Sequence, residues 1–132
     1  MLFRSDTALF GRVVAAVAAG ADAAVPGVQL ADTVKEIGTD GSVLSTPRRD
    51  SLRAVQTPQA FRAAVLRAAH ADAGDATDDA ALVEANGGTV VVVDGSTDNR
   101  KITEPADLEW ARRHVRDLGL ADEERTTRQG AR

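Results

Sequence analysis

Cysteine and tyrosine are absent from this 132-residue chain, and three Phe and one Trp are its only aromatic side chains. Without cysteine the chain can form no disulfide and no thiolate-held zinc or iron–sulfur centre. Two histidines argue against a histidine-rich metal cage. Lysine is scarce as well, with two against fourteen arginines, a bias that GC-rich coding explains as readily as guanidinium chemistry. A basic balance is lacking: the net charge of −4 opposes a non-specific grip on nucleic acid, which wants a basic face. No apolar run approaches the roughly 20 residues that span a bilayer. Met1-Leu2-Phe3-Arg4-Ser5 carries no signal-peptide apolar stretch. The reading is a soluble, cytoplasmic protein.

What the chain does have is small and apolar. Hydrophobic residues make up 43%, and 25 Ala and 15 Val account for 40 of those 57 residues. A core is therefore possible, in a length that suits one domain. Each small side chain removes little apolar area from water, at roughly 25 cal/mol per Å², so the core should be marginal without a partner surface.

Along the chain, Phe10, Val13, Val14, Val17 and Ala21 fall at helical spacing and predict one apolar stripe over residues 7–21. Ala23-Ala24-Val25-Pro26 reads as a buried strand stopped by proline. Residues 31–46 read as a hairpin turning at Gly38-Thr39-Asp40-Gly41. Its faces alternate poorly, which suits an arm that packs on something other than its own sheet. Residues 52–56 read as a strand. Thr57-Pro58 reads as a helix start, with Thr as cap and Pro in the first turn, and Phe61, Val65, Leu66 and Ala69 as the buried face. Thr77 is the expected cap of a helix that buries Leu82 and Val83 and stops at Asn86-Gly87-Gly88. The four valines of residues 90–93 are the best strand, and an unbroken β-branched run implies burial on both faces, as in parallel sheets. Thr103 is the expected cap of a last helix carrying Pro105 in its first turn and Leu108, Ala111, Val115 and Leu118 on one face. Alternating strands and helices argue for an α/β domain.

No phosphate-loop or dinucleotide fingerprint occurs. His70 and His114 sit late on helices, where a solvated cation is ordinary. Arg48-Arg49 with Arg53 is either a solvated turn or a bidentate phosphate grip. Thr57 is either a plain cap or an anion contact. Thr77-Asp78-Asp79 could approach a metal, although acids in a first helical turn need no such explanation. Lys101 follows the loop Gly95-Ser96-Thr97-Asp98-Asn99 at the exit of the valine strand, where α/β proteins bind ligands.

Four motifs occur in order: Asp32-Thr33-Val34-Lys35; Leu52-Arg53-Ala54-Val55-Gln56-Thr57-Pro58-Gln59-Ala60-Phe61; Ala76-Thr77-Asp78-Asp79-Ala80; and Asp98-Asn99-Arg100-Lys101-Ile102-Thr103. Over residues 7–118 the chain resembles the C-terminal half of the 2-C-methyl-D-erythritol 4-phosphate cytidylyltransferases. The resemblance implies part of a Rossmann-like α/β/α nucleotidyltransferase domain over residues 1–120, with a protruding β-arm at 31–49 and a polar tail at 121–132. It implies transfer of CMP from CTP to a sugar-alcohol phosphate, with release of pyrophosphate and with Mg²⁺ bridging the phosphates. It implies a homodimer clasped through the arm. By position, Arg49 and Lys101 would be catalytic, Thr33, Thr57 and Thr77 would contact the sugar-alcohol phosphate, and Asp98 would face the metal. The family's glycine-rich CTP loop and His-Asp-Ala-Ala-Arg-like loop are not among these 132 residues. The expectation is therefore a fragment of that enzyme, inactive alone. Alternatives are a fragment of a pentitol-phosphate cytidylyltransferase and a non-catalytic dimerisation module.

Overall fold

The computed structural model describes residues 2–3, 6–71 and 78–117. In chain order its elements are β1 (Leu2–Phe3), α1 (Thr7–Ala18), β2 (Ala23–Gln29), β3 (Glu36–Ile37), β4 (Val43–Ser45), β5 (Arg53–Val55), β6 (Ala60–Phe61), α2 (Ala63–Ala71), α3 (Asp79–Ala85), β7 (Val90–Asp94), β8 (Lys101–Ile102) and α4 (Pro105–Asp117). A single 3₁₀ turn covers Arg49–Ser51. Two compact units divide the chain, one over residues 5–99 and one joining residues 1–4 to the segment from Arg100 onward.

In the larger unit every sheet contact of the core passes through β2. Ala23 to Gly27 pair in parallel with Val90 to Asp94 of β7. Ala23 and Ala24 pair antiparallel with β6, and Gly27, Val28 and Gln29 with β5. Because a strand has two edges, β5 and β6 share one and β7 takes the other. This is a mixed α/β sheet around a parallel pair. Asp22 secures the start of β2, exchanging its own N–H and carboxylate with Thr89 and accepting from Arg62 N at 2.8 Å. Ala23, Ala24 and Val25 are essentially inaccessible, and their small side chains let helices lie close. Ala23, Ala69 and Val83 form a buried cluster covered by Phe61, Val65, Leu66, Leu82 and Val90, which joins α2 and α3 to the sheet. Full burial of a side chain such as Val83 contributes about 1.5–3 kcal/mol. Gly27 is obligatory for a packing reason: a Cβ there would stand 2.7 Å from Val92 Cγ1 and 3.0 Å from Arg53 Cβ.

Several expectations are corrected. Helix α1 ends at Ala18 and turns Leu9 and Val13 inward, while Phe10 and Val14 are 50% and 59% exposed; the stripe is rotated because Leu9, not Phe10, meets the sheet. Pro26 does not stop β2. It is buried within the strand, and its carbonyl accepts from Gln56 N at 2.8 Å, so only its missing donor is lost to the ladder. Thr57-Pro58 does not open a helix. Its peptide is cis, residues 60–62 are taken up in pairing with β2 and Asp22, and α2 begins at Ala63. The valine strand is not fully buried on either face: Val90, Val91 and Val93 are half-buried and Val92 is 52% exposed. Asp78, whose carboxylate accepts from Ala81 N, caps α3; Thr77 lies outside the described residues, as do Leu118 and the tail at 121–132. The stop after α3 is as expected: Gly87 has a φ of +80° and Gly88 N donates to Val83 O.

The smaller unit pairs β1 with β8 antiparallel. Pro105 is the first helical residue of α4. The expected cap, Thr103, instead directs its hydroxyl and its N–H to the Asp107 carboxylate, which also accepts from Glu104 N at 3.1 Å. An acid in the first turn that reaches back to free N–H groups does the work of a cap. No helix among the described residues is long and apolar enough to cross a membrane.

Replacing Leu9 by Ala should cost about 2–5 kcal/mol of unfolding free energy, and Phe10→Ser should stay within about 0.5 kcal/mol. Urea titrations of both variants check this. A larger loss for Phe10→Ser than for Leu9→Ala would place Phe10, not Leu9, in the interior.

Candidate functional site

The loop after the parallel strand and the turn at Thr57 meet through side-chain amides. Gln56 leaves β5 on one edge of β2, and residues 95–99 leave β7 on the other. Gln56 Nε2 donates to Ser96 O at 2.8 Å and Asn99 O at 3.2 Å, and its Oε1 accepts from Ser96 N at 3.1 Å. Asn99, only 7% exposed, donates through Nδ2 to Thr57 O at 2.5 Å and to Gln56 Oε1 at 3.4 Å. Asp98 is exposed on this loop, its N–H donating to Ser96 Oγ at 3.2 Å. Thr57, half-buried, is thus set beside the loop that carries Asp98. Periodicity gives no sign of Gln56 and Asn99; their one sequence signal is membership of two of the quoted motifs, where neither was assigned a role.

The expected arm contains a hairpin whose strands, β3 and β4, form a two-stranded sheet of their own. Its turn is held by Asp40, whose carboxylate accepts from Ser42 Oγ at 2.6 Å and Ser42 N at 3.0 Å. These bonds, the hydroxyl's above all, hold the Asp40 carboxyl below its ordinary range. Lys35 Nζ donates to Thr46 Oγ1, and Ser45 Oγ to Glu36 Oε2, while Ile37, Val43 and Leu44 are exposed. At the root of this segment Arg49 Nη1 donates to Ala31 O at 2.6 Å. Arg49 lines an open cleft of about 300 Å³ with Gln29, Leu30, Ala31 and Asp50. Arg49 and Thr33 are both exposed, and the Arg49–Ala31 bond ends two residues before Thr33. Arg48 instead lies 3.8 Å from Asp50.

In the smaller unit Lys101 is exposed on β8. Arg100 lies over the Trp110 ring at 4.9 Å and 3.4 Å from Asp107, and His114 stacks on the same Trp110 ring at 5.0 Å. His70, in the larger unit, is half exposed beside Asp79 at 3.0 Å. Both histidines thus have structural neighbours among the described residues.

Among the described residues no three His, Asp or Glu side chains cluster to hold a metal. The donor set therefore does not suit a resident metal cage. A Mg²⁺ that keeps several waters takes only one or two carboxylates from protein, and the exposed Asp98 carboxylate is a donor of that kind.

A family model described as 2-C-methyl-D-erythritol 4-phosphate cytidylyltransferase matches residues 4–117. The chain is 50% identical over 119 residues to the protein of that name from Frankia casuarinae, covering 89% of this chain and 45% of the relative. It is 51% identical over 104 residues to that from Nocardia farcinica, covering 79% of this chain and 45% of the relative. The crystal structure of 4-diphosphocytidyl-2C-methyl-D-erythritol synthase from Anaerococcus prevotii superposes with a TM-score of 0.78 at 32% identity, over 85% of this chain and 53% of that one. That of the Thermus thermophilus cytidylyltransferase gives 0.73 at 38% identity, over 86% and 57%. The chain spans about half the length of the relatives it matches.

The three bonds at the start of α4 give a pH prediction. The N–H of Thr103, then that of Glu104, hold the Asp107 carboxyl below its ordinary value of 3.8. A depressed carboxyl contributes stability that is fully present above the unfolded value and is lost as pH falls through the lower folded one. Order at the start of α4 should thus persist down to 3.8 and fade below it. Asp107→Asn should remove that acid dependence. A carbon-detected NMR titration placing the Asp107 midpoint at or above 3.8 would contradict the arrangement.

Proposed function

Since the chain belongs to the 2-C-methyl-D-erythritol 4-phosphate cytidylyltransferase family, we propose that it is the portion of such an enzyme that holds the alcohol phosphate and joins two subunits. In the reaction an oxygen of the 2-C-methyl-D-erythritol 4-phosphate phosphate group attacks the α-phosphorus of CTP. The new P–O bond forms as the bond to the β-phosphate breaks, and pyrophosphate leaves. No covalent enzyme intermediate is needed, so positioning and charge stabilisation carry the catalysis. The observation that carries this reading is the family match over residues 4–117, with the exposed Arg49 guanidinium in the cleft at the arm's root as its structural support.

Each residue then has a role. Arg49 and Thr33, carried by the arm, hold the sugar-alcohol phosphate in the neighbouring subunit's site, where a planar guanidinium fork can bind two oxygens. The exposed Ile37, Val43 and Leu44 of the arm suit contact with a second copy of the chain. Thr57 and Thr77 line the pocket for the alcohol. Lys101 neutralises charge on the reacting phosphates and fixes the attacking group, and Asp98 would hold the Mg²⁺. That ion, when bound with CTP, would neutralise charge building on the departing phosphates.

In the whole enzyme Arg49→Ala should lower kcat/KM for the alcohol phosphate roughly 10- to 150-fold, the equivalent of about 1.5–3 kcal/mol for a charge-assisted bond. CTP binding should hardly change, and Arg49→Lys should rescue only in part, for want of the fork. Lys101→Ala should reduce kcat strongly, because its charge matters most in the transition state. Mixed dimers of Arg49→Ala and Lys101→Ala subunits decide whether Arg49 acts across the interface. If it does, one site carries both lesions and the other neither, so activity returns in part. Verified heterodimers without recovery would overturn that role.

The 132-residue polypeptide alone should release no pyrophosphate from CTP and 2-C-methyl-D-erythritol 4-phosphate with Mg²⁺, since it contains no glycine-rich phosphate loop. Turnover on the order of 1–10³ s⁻¹, the ordinary enzyme range, would overturn this expectation.

A further inference from the structure

We propose, resting on the cytidylyl-transfer reading above, that Gln56 is a positioning residue: its side-chain amide sets where the loop 95–99, with Asp98 on it and Lys101 two residues beyond it in sequence, leaves the sheet. Gln56 touches no candidate substrate group and acts through the loop. All four hydrogen-bonding directions of its amide group are used on that loop. The two donors go to Ser96 O and Asn99 O, and the carbonyl accepts from Ser96 N and Asn99 Nδ2. The amide is fixed from behind as well, because Gln56 N donates to Pro26 O and Gly95 N to Gly27 O at 3.0 Å. Gln56 and Gly95 are thus tied to consecutive residues of β2 from its two edges, and the side chain closes the gap between them.

The glycine at 95 agrees with this. A Cβ there would collide with Gln56 Oε1 and stand 3.1 Å from the Gly27 backbone, so the amide occupies the space a side chain would need. Asn99 completes the bridge by donating to Thr57 O. Gln56, with Asn99 as its partner, consequently fixes both the loop bearing Asp98 and its spacing from the turn bearing Thr57. A small displacement of charged groups at a reacting centre is enough to slow the chemistry about 10²-fold, which makes the amide a point where rate can be lost without loss of the fold.

Two variants test this. Gln56→Glu keeps the size and the acceptor but removes both donors and faces two carbonyl oxygens with a carboxylate. Gln56→Met keeps the length and removes donors and acceptor alike. In Gln56→Met, which removes the acceptor of the Ser96 N–H, hydrogen exchange at the Ser96 amide should quicken about 10-fold or more, the effect of losing one or more net hydrogen bonds, while in both variants the amides of Val25 and Val91 keep their protection. In the whole enzyme kcat should fall about 10- to 100-fold, with KM for CTP nearly unchanged. Wild-type kcat in both variants, or an unaltered Ser96 amide in Gln56→Met, would overturn the positioning role. So would faster exchange across β2 and β7, which would make Gln56 a support of the fold alone. A wild-type enzyme that forms no cytidylyl product overturns the functional reading, and the positioning role with it; an active wild type beside unaffected variants overturns the positioning role only.

Discussion

The larger unit depends on β2 being paired along both edges. That pairing uses small residues where the sheet is closest to its helices, Ala23 and Ala24, and no side chain at Gly27, where β5 and β7 both register against one residue. A larger residue at Gly27 would press on Val92 and Arg53 together. The composition that looked poor for a core, rich in alanine and valine, is what lets neighbours approach from two edges. Pro26 is tolerated in this central strand because its carbonyl still finds the Gln56 N–H.

From the end of β2 the chemistry follows outward. Strand β7 runs parallel to β2, so its exit loop emerges at the carboxyl end of the pair, where α/β proteins place ligands. The Thr57 turn lies on the opposite edge, between the residues paired with Gly27 and with Ala24, and Gln56 and Asn99 join the two. The segment after β2 leaves the sheet altogether. It makes its own hairpin, keeps apolar residues exposed and returns at Arg49, whose guanidinium holds the departing strand by Ala31 O. A segment that leaves three large apolar side chains uncovered is better suited to a second surface than to its own sheet.

Sequence reading recovered the α/β class, the hairpin, the valine strand, the α2 face and the stop after α3, because each has a local cause: periodicity, turn chemistry or a glycine with positive φ. It misplaced what tertiary contacts decide. Phe10 and Leu9 are both apolar at adjacent positions, and only the sheet selects Leu9. Thr57-Pro58 has the composition of a helix start, and pairing of residues 60–62 with β2 overrides it. Of the expected site residues, Arg49 and Thr33 flank the hairpin segment, Thr57 and Asp98 fall on the turn and the loop that Gln56 and Asn99 join, and Lys101 belongs to the smaller unit. Gln56 and Asn99 are 43 positions apart. A side-chain amide bridge of that span leaves no periodic trace, so it became visible only in three dimensions.

The central claim is that these residues hold a methylerythritol phosphate for attack on CTP. Phosphorus NMR of the whole enzyme's reaction tests it most directly, with each candidate alcohol phosphate supplied in turn with CTP and Mg²⁺. The account predicts a new pyrophosphate diester joining cytidine to 2-C-methyl-D-erythritol, formed in step with free pyrophosphate and not formed from a pentitol phosphate. A diester formed from the pentitol phosphate instead, or none from either, would contradict it.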